Sequence, residues 1–275
     1  MVRRAVQITV LVMTVVLSGV TSAAAQTTST AAGVTSPPVS FGAWLDDASV
    51  MMQGITSVGL SVGRWSGLYG HENDGPVFDL SVGAAKRLQL GISVPFYHAT
   101  YADGSASSGR GDMYLTAKVQ ILNPDDYGFG FSTTPLIEVL SDAELADTTL
   151  GLHRVNWALP VSVQIGADKT QVFATTGYFS RGAIFGGVGL TQAVNDQITV
   201  TGSLTVSHST HDLATTSLAT ANRTQVNASG GVSIMLNQRV GLWGSVGRTV
   251  STLDQNGASF TGNATVNVLL GNLRK

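Results

Sequence analysis

The sequence has no cysteine, little charge and, beyond residue 25, no long hydrophobic run. Only 12% of its 275 residues are charged, about half of the roughly 25% found in an average soluble domain. The missing cysteine excludes a disulfide framework and a lipid-attachment site. The 15 basic and 17 acidic residues leave no basic surface of the kind that binds nucleic acid. The low charge also disfavours an ordinary cytosolic enzyme, because its water-facing surface needs more charge.

The N-terminus has the three parts of a secretory signal. Two arginines precede an apolar run over residues 5–20, which ends in a triplet of alanines at 23–25. A retained membrane anchor needs about 18–20 apolar residues, and this run is shorter and interrupted by polar residues. The order predicts a signal peptide over residues 1–25, cleaved after Ala25, so that the mature protein begins at Gln26.

From residue 54 onward, apolar residues alternate with small or polar ones. In Leu88–Phe96 every second residue is apolar, and the residues between are Gln, Gly, Ser and Pro. A period of two predicts strands with one apolar face. It recurs about twelve times, and the predicted strands are 54–65, 76–86, 88–98, 111–122, 127–139, 154–165, 170–179, 182–192, 197–208, 222–236, 239–250 and 259–271.

The predicted connections alternate in length, with long loops at 66–75, 99–110, 140–153, 209–221 and 251–258. Short turns on one rim and long loops on the other are typical of a bacterial outer-membrane barrel. In lipid such a sheet has to close, since open edges would leave backbone groups unpaired. A β-sandwich or a secreted β-helix is the alternative, but outward faces with so little charge disfavour it. We therefore predict an all-β, transmembrane antiparallel up-and-down β-barrel of about 12 strands over residues 54–275, with short periplasmic turns and longer extracellular loops.

Residues 26–53 precede this barrel as a flexible N-terminal lead. Its first part, to about residue 40, is rich in Thr, Ala, Ser and Pro, a composition typical of a flexible segment. Apolar residues follow at Phe41, Trp44, Leu45 and 50–52, and they suggest a short helix. The sequence leaves two places open for this segment, the periplasmic interface and the lumen, where it would act as a plug.

Three segments resemble a known family pattern: AAKRLQLGISVPFY (84–97), SGRGDMYLTAKVQIL (108–122) and GYFSRGAIFGGVGL (177–190). They are similar to the outer-membrane transporter-like barrels of the MetA-pathway of phenol degradation family, and Pro95, Gly109, Gly111, Asp112 and Lys118 occupy the matching positions. The resemblance implies a channel for passive passage of small, hydrophobic or aromatic solutes. The C-terminus departs from the pattern, because such barrels usually end in an aromatic residue and this chain ends in Leu-Arg-Lys.

Polar residues on the inward faces of the predicted strands are the candidates for lining the lumen. Their charges are nearly balanced, which predicts no strong ion selectivity. A filled structural or adhesive barrel without transport is the alternative, because eight-stranded barrels are packed solid and sixteen-stranded ones are open. The candidates are Asp79, Asp112, Tyr114, Lys118, Gln120, Glu138, Asn156, Gln164, Arg223, Gln225, Asn227, Asn263 and Asn267.

Asp112 and Lys118 share one face of a predicted strand but lie roughly 20 Å apart along it. They are therefore too far apart to pair with one another. A dry, unpaired charge would cost several kcal/mol, so each of the two needs its own partner across the lumen or a place in water.

A lipid-modifying hydrolase is a less favoured alternative. The segment Ser207–Asp212 brings serine and histidine together as in nucleophilic catalysis, but the further motif residues of lipid-hydrolysing barrels are absent from the sequence. His208 and His211 lack a third metal ligand, and Glu72 and Asp74 fall in a predicted, solvated loop. No catalytic residue, metal or cofactor is predicted, and the predicted partners are outer-membrane lipids and a small solute.

Overall fold

A computed structural model describes residues 45–68, 70–142, 153–167, 169–180, 182–210, 224–253 and 257–272. These residues include fourteen β-strands and a helix of one turn, α1 (Pro124–Tyr127). Within these ranges no helix is long and apolar enough to cross a membrane. The strands are β1 (Thr56–Gly67), β2 (Gly70–Ala85), β3 (Leu88–Tyr101), β4 (Ala106–Arg110), β5 (Met113–Leu122), β6 (Phe129–Thr133), β7 (Leu136–Val139), β8 (Val155–Ala167), β9 (Thr170–Phe179), β10 (Ala183–Ala193), β11 (Ile198–Ser209), β12 (Thr224–Met235), β13 (Val240–Thr249) and β14 (Ala258–Leu270).

The strands form a closed antiparallel barrel. The first strand pairs with β2 on one side and with β14 on the other, from Thr56 opposite Leu270 onward, and this pairing closes the sheet. Two of the twelve passes across the barrel are each divided into two strands. Both β4 and β5 pair with β3, and both β6 and β7 pair with β8. The prediction of an all-β barrel with twelve passes is confirmed.

Side-chain exposure alternates along the strands as the period of two predicts. In β1, Leu60 and Val62 are 50% and 56% exposed, whereas the intervening Ser61 is 4% exposed. The outward face is therefore apolar and the inward face polar, the reverse of a water-soluble barrel. Outward aromatic rings also pack in pairs, with Trp157 and Tyr178 centred 5.7 Å apart. This apolar band is the surface that fits the hydrocarbon of a membrane.

The strands are longer than predicted at one rim. The predicted long loop 66–75 is wrong, because β2 already begins at Gly70. Gly75 and Pro76 interrupt the sequence pattern, yet the barrel accommodates them as a β-bulge between Asp74 and Val77. Proline is tolerated there because a bulge removes a ladder hydrogen bond. The predicted loop 99–110 likewise shrinks to residues 102–105, and parts of the other three predicted long loops lie outside the described ranges.

Several lumen-facing aromatic rings lie over glycines of the neighbouring strand. A Cβ added at Gly189 would lie 2.3 Å from the ring of Phe173, and one at Gly177 would lie 2.6 Å from the ring of Phe185. Both rings are buried, so they have little room to move away. These glycines make space for large rings inside a narrow barrel, which accounts for part of the high glycine content.

Filling one of these spaces should destabilise the barrel. We expect Gly189→Ala to lower the free energy of unfolding by about 1–3 kcal/mol, because the added methyl group overpacks against Phe173. Gly202→Ala is the matched control, since nothing lies within 4 Å of its added Cβ. Denaturant unfolding in detergent measures both variants, and equal stability for the two would contradict the packing argument.

Candidate functional site

The chain segment before β1 runs inside the barrel. Residues 45–53, here called the N-terminal plug, are extended rather than helical. Leu45, Ala48 and Met51 are buried. The described part of the lead thus lies in the lumen, one of the two places that the sequence left open, and the suggested helix does not form there. Phe41 and Trp44 lie outside the described residues.

Side chains of β8 and β9 bind the plug from one side. The Thr175 hydroxyl donates to the Asp46 carbonyl (2.8 Å) and accepts from the Asp46 amide (3.1 Å). The Gln164 amide oxygen accepts from the Ala48 amide and from the Ser49 hydroxyl, both at 3.0 Å. These side chains take the place of a neighbouring strand, because buried backbone groups require partners.

Side chains of β3 and β5 also bind the plug. The Gln120 side chain donates to the Ala48 carbonyl (3.2 Å), and the Gln89 side chain accepts from the Met51 amide (2.9 Å). Gln89 is the second residue of β3, so the plug lies towards the rim of short turns. Sequence reasoning missed Gln89, which lies on the polar face of a predicted strand, and Thr175, whose face of the strand also carries aromatic residues.

Lys118 forms the only ion pairs that the described residues place inside the lumen. Its Nζ lies 2.7 Å from Asp46 Oδ2 and 3.3 Å from Asp47 Oδ1. The lysine is 2% exposed, and both aspartates are buried. Burial raises the pKa of Asp47 despite the attraction of Lys118. Two carboxylates share one ammonium group, so the cluster carries a net negative charge when all three groups are ionised.

A second polar cluster lies around Glu138 on β7. The Tyr114 hydroxyl and the Asn156 amide each donate to the Glu138 carboxylate at 3.2 Å. Tyr114 also belongs to a buried apolar cluster that includes Phe179 and Phe185. On this side of the lumen, from β5 to β10, large side chains and the plug fill the space.

The opposite wall, formed by β11–β14, β1 and β2, carries mostly small polar side chains. Thr249 donates to Asn227 Oδ1 (2.7 Å), and Ser245 donates to Asn263 Oδ1 (3.0 Å). Asn227 in turn donates to Gln225 (3.2 Å). Serine, threonine, asparagine and glycine make most of this wall hydrophilic, as in a lumen that admits water, whereas Trp243 is a large buried side chain on it.

The structure places twelve of the thirteen candidates, and Arg223 lies outside the described residues. Asp112 lies between β4 and β5, where its carboxylate accepts from the Ser141 amide at 2.7 Å. Asp112 and Lys118 thus have separate partners. Asp112, Asn227 and Asn263 are half-buried. The buried candidates are Asp79, Tyr114, Lys118, Gln120, Glu138, Asn156, Gln164, Gln225 and Asn267.

Two acidic residues were missed because they fell in a predicted loop. Glu72 and Asp74 belong to β2, where Asp74 faces the lumen and Glu72 lies within hydrogen-bonding reach of it. Together with Asp46 and Asp47 of the plug, they make the described lumen more acidic than the candidate list suggested. The signal that could have found them is the polar character of the whole stretch 71–74.

The hydrolase alternative gains no support from the described residues. His208 is exposed on the outer face of β11, and its Nδ1 hydrogen-bonds the Thr224 hydroxyl at 2.8 Å. Ser207 is buried on the inner face, so the two side chains point to opposite sides of the sheet. His211 and Asp212 lie outside the described residues.

Removing the lysine should release the plug. In Lys118→Met, Asp46 and Asp47 would be buried without a cation, and breaking a buried ion pair in this way costs about 3–5 kcal/mol. We expect the backbone amides of residues 45–51 to exchange with deuterium faster than in the unaltered protein. Adding Asp46→Asn and Asp47→Asn to this variant should restore part of the protection, whereas unchanged exchange in Lys118→Met alone would contradict the role of the ion pair.

Comparisons with known proteins connect this architecture to outer-membrane channels. No protein-family model and no curated protein matches the sequence, so the resemblance to the MetA-pathway family stays a prediction. Among solved structures, the COG4313 outer membrane channel from Pseudomonas putida F1 is similar with a TM-score of 0.60 and 13% identity, over 82% of this chain and 98% of that chain.

Two porins are similar over comparable lengths. The NanC porin has a TM-score of 0.52 and 10% identity, over 78% of this chain and 100% of that chain. The KdgM porin has a TM-score of 0.51 and 11% identity, over 77% of this chain and 98% of that chain. At these identities the similarity shows the fold alone, which is that of an outer-membrane channel barrel.

Proposed function

We propose that the protein is an outer-membrane channel for passive passage of small polar solutes, with the N-terminal plug as its internal closure. The observation that carries this proposal is the way the plug is held. Apart from its covalent continuation into β1 and the packing of Met51 against Leu269, it is bound by side chains of Thr175, Gln164, Gln120 and Gln89 and by one lysine. Side-chain contacts of this kind can be exchanged for water, so the plug can leave without breaking the barrel.

The wall opposite the plug supports passage of a polar solute. Its inward residues are small and hydrophilic, and they include Ser203, Thr205 and Ser245. The family resemblance implies hydrophobic or aromatic solutes. A wall of hydroxyl and amide groups favours a solute that can replace their hydration, and the apolar residues of the lumen are already packed against one another. We therefore propose a polar solute rather than an apolar one.

A filled structural or adhesive barrel is the second candidate, and two observations favour it. The ion pair of Lys118 is buried in the lumen, and an apolar cluster fills part of the same side. If the plug never leaves, the barrel conducts nothing and its interior is a core. The two functions differ in one property, which is whether the plug is displaceable.

A disulfide that fixes the plug separates these two functions. The native chain has no cysteine, and a Cβ added at Gly130 would lie 2.9 Å from Cβ of Ala48. A shift of about 1 Å brings this pair into the range of a disulfide. In planar bilayers, we expect the variant Ala48→Cys/Gly130→Cys to conduct when reduced and to stop conducting when oxidised.

The two single-cysteine variants are the controls, and oxidant should not change their conductance. Absence of conductance in both redox states, with the barrel shown to be folded by heat-modifiable migration, would favour the filled barrel. Conductance that persists after complete oxidation would mean that solutes pass beside the plug rather than through the space it occupies.

The location of the protein is tested separately. We expect it to fractionate with outer membranes and to require detergent for extraction, because its outward face is apolar and fits membrane lipids. Mass spectrometry of the mature protein should give Gln26 as the first residue. Recovery as a soluble periplasmic species would contradict a membrane-spanning barrel.

A further inference from the structure

A row of oxygen-bearing side chains crosses three neighbouring strands at the seam where the barrel closes. Gly59 of β1 lies opposite Asp79 of β2 on one side and opposite Asn267 of β14 on the other. All three positions face the lumen. None of the interactions described above uses Asp79 or Asn267.

Each of the two side chains has a buried oxygen atom without a partner among the described residues. These are Asp79 Oδ1 and Asn267 Oδ1. The residues are only 6% and 8% exposed. The other carboxylate oxygen of Asp79 accepts from the Ser61 hydroxyl at 3.1 Å, and Thr265 hydrogen-bonds that serine at 3.0 Å. The Ser61 hydroxyl therefore holds Oδ2, the oxygen nearer to Gly59, and Ser93 of β3 lies opposite Asp79 within hydrogen-bonding reach of the carboxylate.

Glycine at position 59 places no side chain between these two groups. A Cβ added there would lie 2.6 Å from Asn267 Oδ1 and 3.6 Å from Asp79 Oδ2. The amide and the carboxylate thus both lean over the glycine from opposite sides. Any side chain larger than hydrogen would occupy the position that faces both oxygen-bearing groups.

The charge of this row defines what it can bind. No lysine or arginine among the described residues forms an ion pair with Asp79, and Lys118 is engaged by the plug. The donor atoms are oxygens, which hard cations prefer. One carboxylate supplies a single negative charge, which a monovalent cation balances and a divalent ion would exceed. We propose that Asp79, Asn267 and the space over Gly59 form a binding site for a monovalent cation.

The same pattern recurs one step along the seam. Gly63 of β1 lies between Asp74 of β2 and Asn263 of β14. Asp74 Oδ2 is also buried without a partner among the described residues. The two glycines are four residues apart, or about 13 Å along the strand. A cation entering from the rim where β1 and β2 join would meet the Asp74 row first and the Asp79 row second.

The proposal does not depend on conduction, because binding is measurable in a closed barrel. Thermal unfolding of the purified protein in detergent is followed in sodium chloride, potassium chloride and N-methylglucamine chloride at equal ionic strength. A cation that binds only the folded state stabilises it. We expect a higher midpoint in sodium or potassium than in the bulky organic cation. A methylammonium chloride arm distinguishes an alkali ion from the ammonium group of a solute.

Four variants test where the cation binds. The difference between the salts should disappear in Asp79→Asn, which keeps the shape but removes the charge, and in Gly59→Ala, which keeps the charge but fills the space. It should persist in Asp103→Asn, an exposed carboxylate in a turn, and in Gly244→Ala, where the nearest atom to the added Cβ is 3.7 Å away. The excess ²³Na line width in NMR gives a second measure of binding.

A midpoint that is the same in all salts would overturn the proposal. So would a salt difference that survives in Asp79→Asn, since it would show ordinary hydration of the lumen or a general salt effect. Absence of conductance in both redox states of the disulfide experiment, with retained cation binding, would refute the channel and leave this site intact.

Discussion

Every feature of this protein depends on satisfying backbone hydrogen bonds where no water is available. In hydrocarbon an unpaired N–H or C=O group costs several kcal/mol, so a sheet that spans a membrane has to close on itself. The pairing of β1 with β14 meets this requirement over nearly the full length of both strands. Once the sheet is closed, its apolar face can lie only outward and its polar face only inward. The inversion of exposure between Leu60 and Ser61 follows from this closure.

Closure creates a second problem inside the barrel, where polar side chains are shut away from bulk water. On one side of the lumen the plug supplies partners for these side chains, because its backbone forms hydrogen bonds with Gln89, Gln120, Gln164 and Thr175. Lys118 is the extreme case, since an ammonium group this deeply buried requires an anion. The other side of the lumen carries mostly small hydroxyl and amide side chains, with Trp243 as a large buried exception. The barrel therefore has one wall filled by the plug and one wall of mostly smaller, polar side chains.

Glycine residues on the inward faces decide what fits inside the barrel. A twelve-pass barrel is narrow, and rings such as Phe173 and Phe185 fit inside it only where the adjacent strand has no side chain. Gly59 and Gly63 also lack a side chain, but the residues beside them carry carboxylates and amides rather than aromatic rings. Where the residue beside the glycine is aromatic, its ring fills the space over the glycine. Where the residues beside it carry oxygen atoms, that space can hold a ligand. The chemistry of the flanking strands decides which.

The sequence by itself determined the architecture, since a period of two repeated about twelve times specifies which face of each strand is apolar, whatever its partners are. It also identified Lys118, Gln120 and Gln164 as inward residues, because parity along a strand is a local property. Only the tertiary structure decided what these residues contact. The partners of Lys118 lie more than 70 positions away, in a segment without periodicity. The sequence likewise did not predict that β2 continues through Gly75 and Pro76. These residues form a bulge, and a bulge is stable only when it pairs with a neighbouring strand. Contacts across a closed sheet depend on register between strands, and a strand's own sequence does not contain that register.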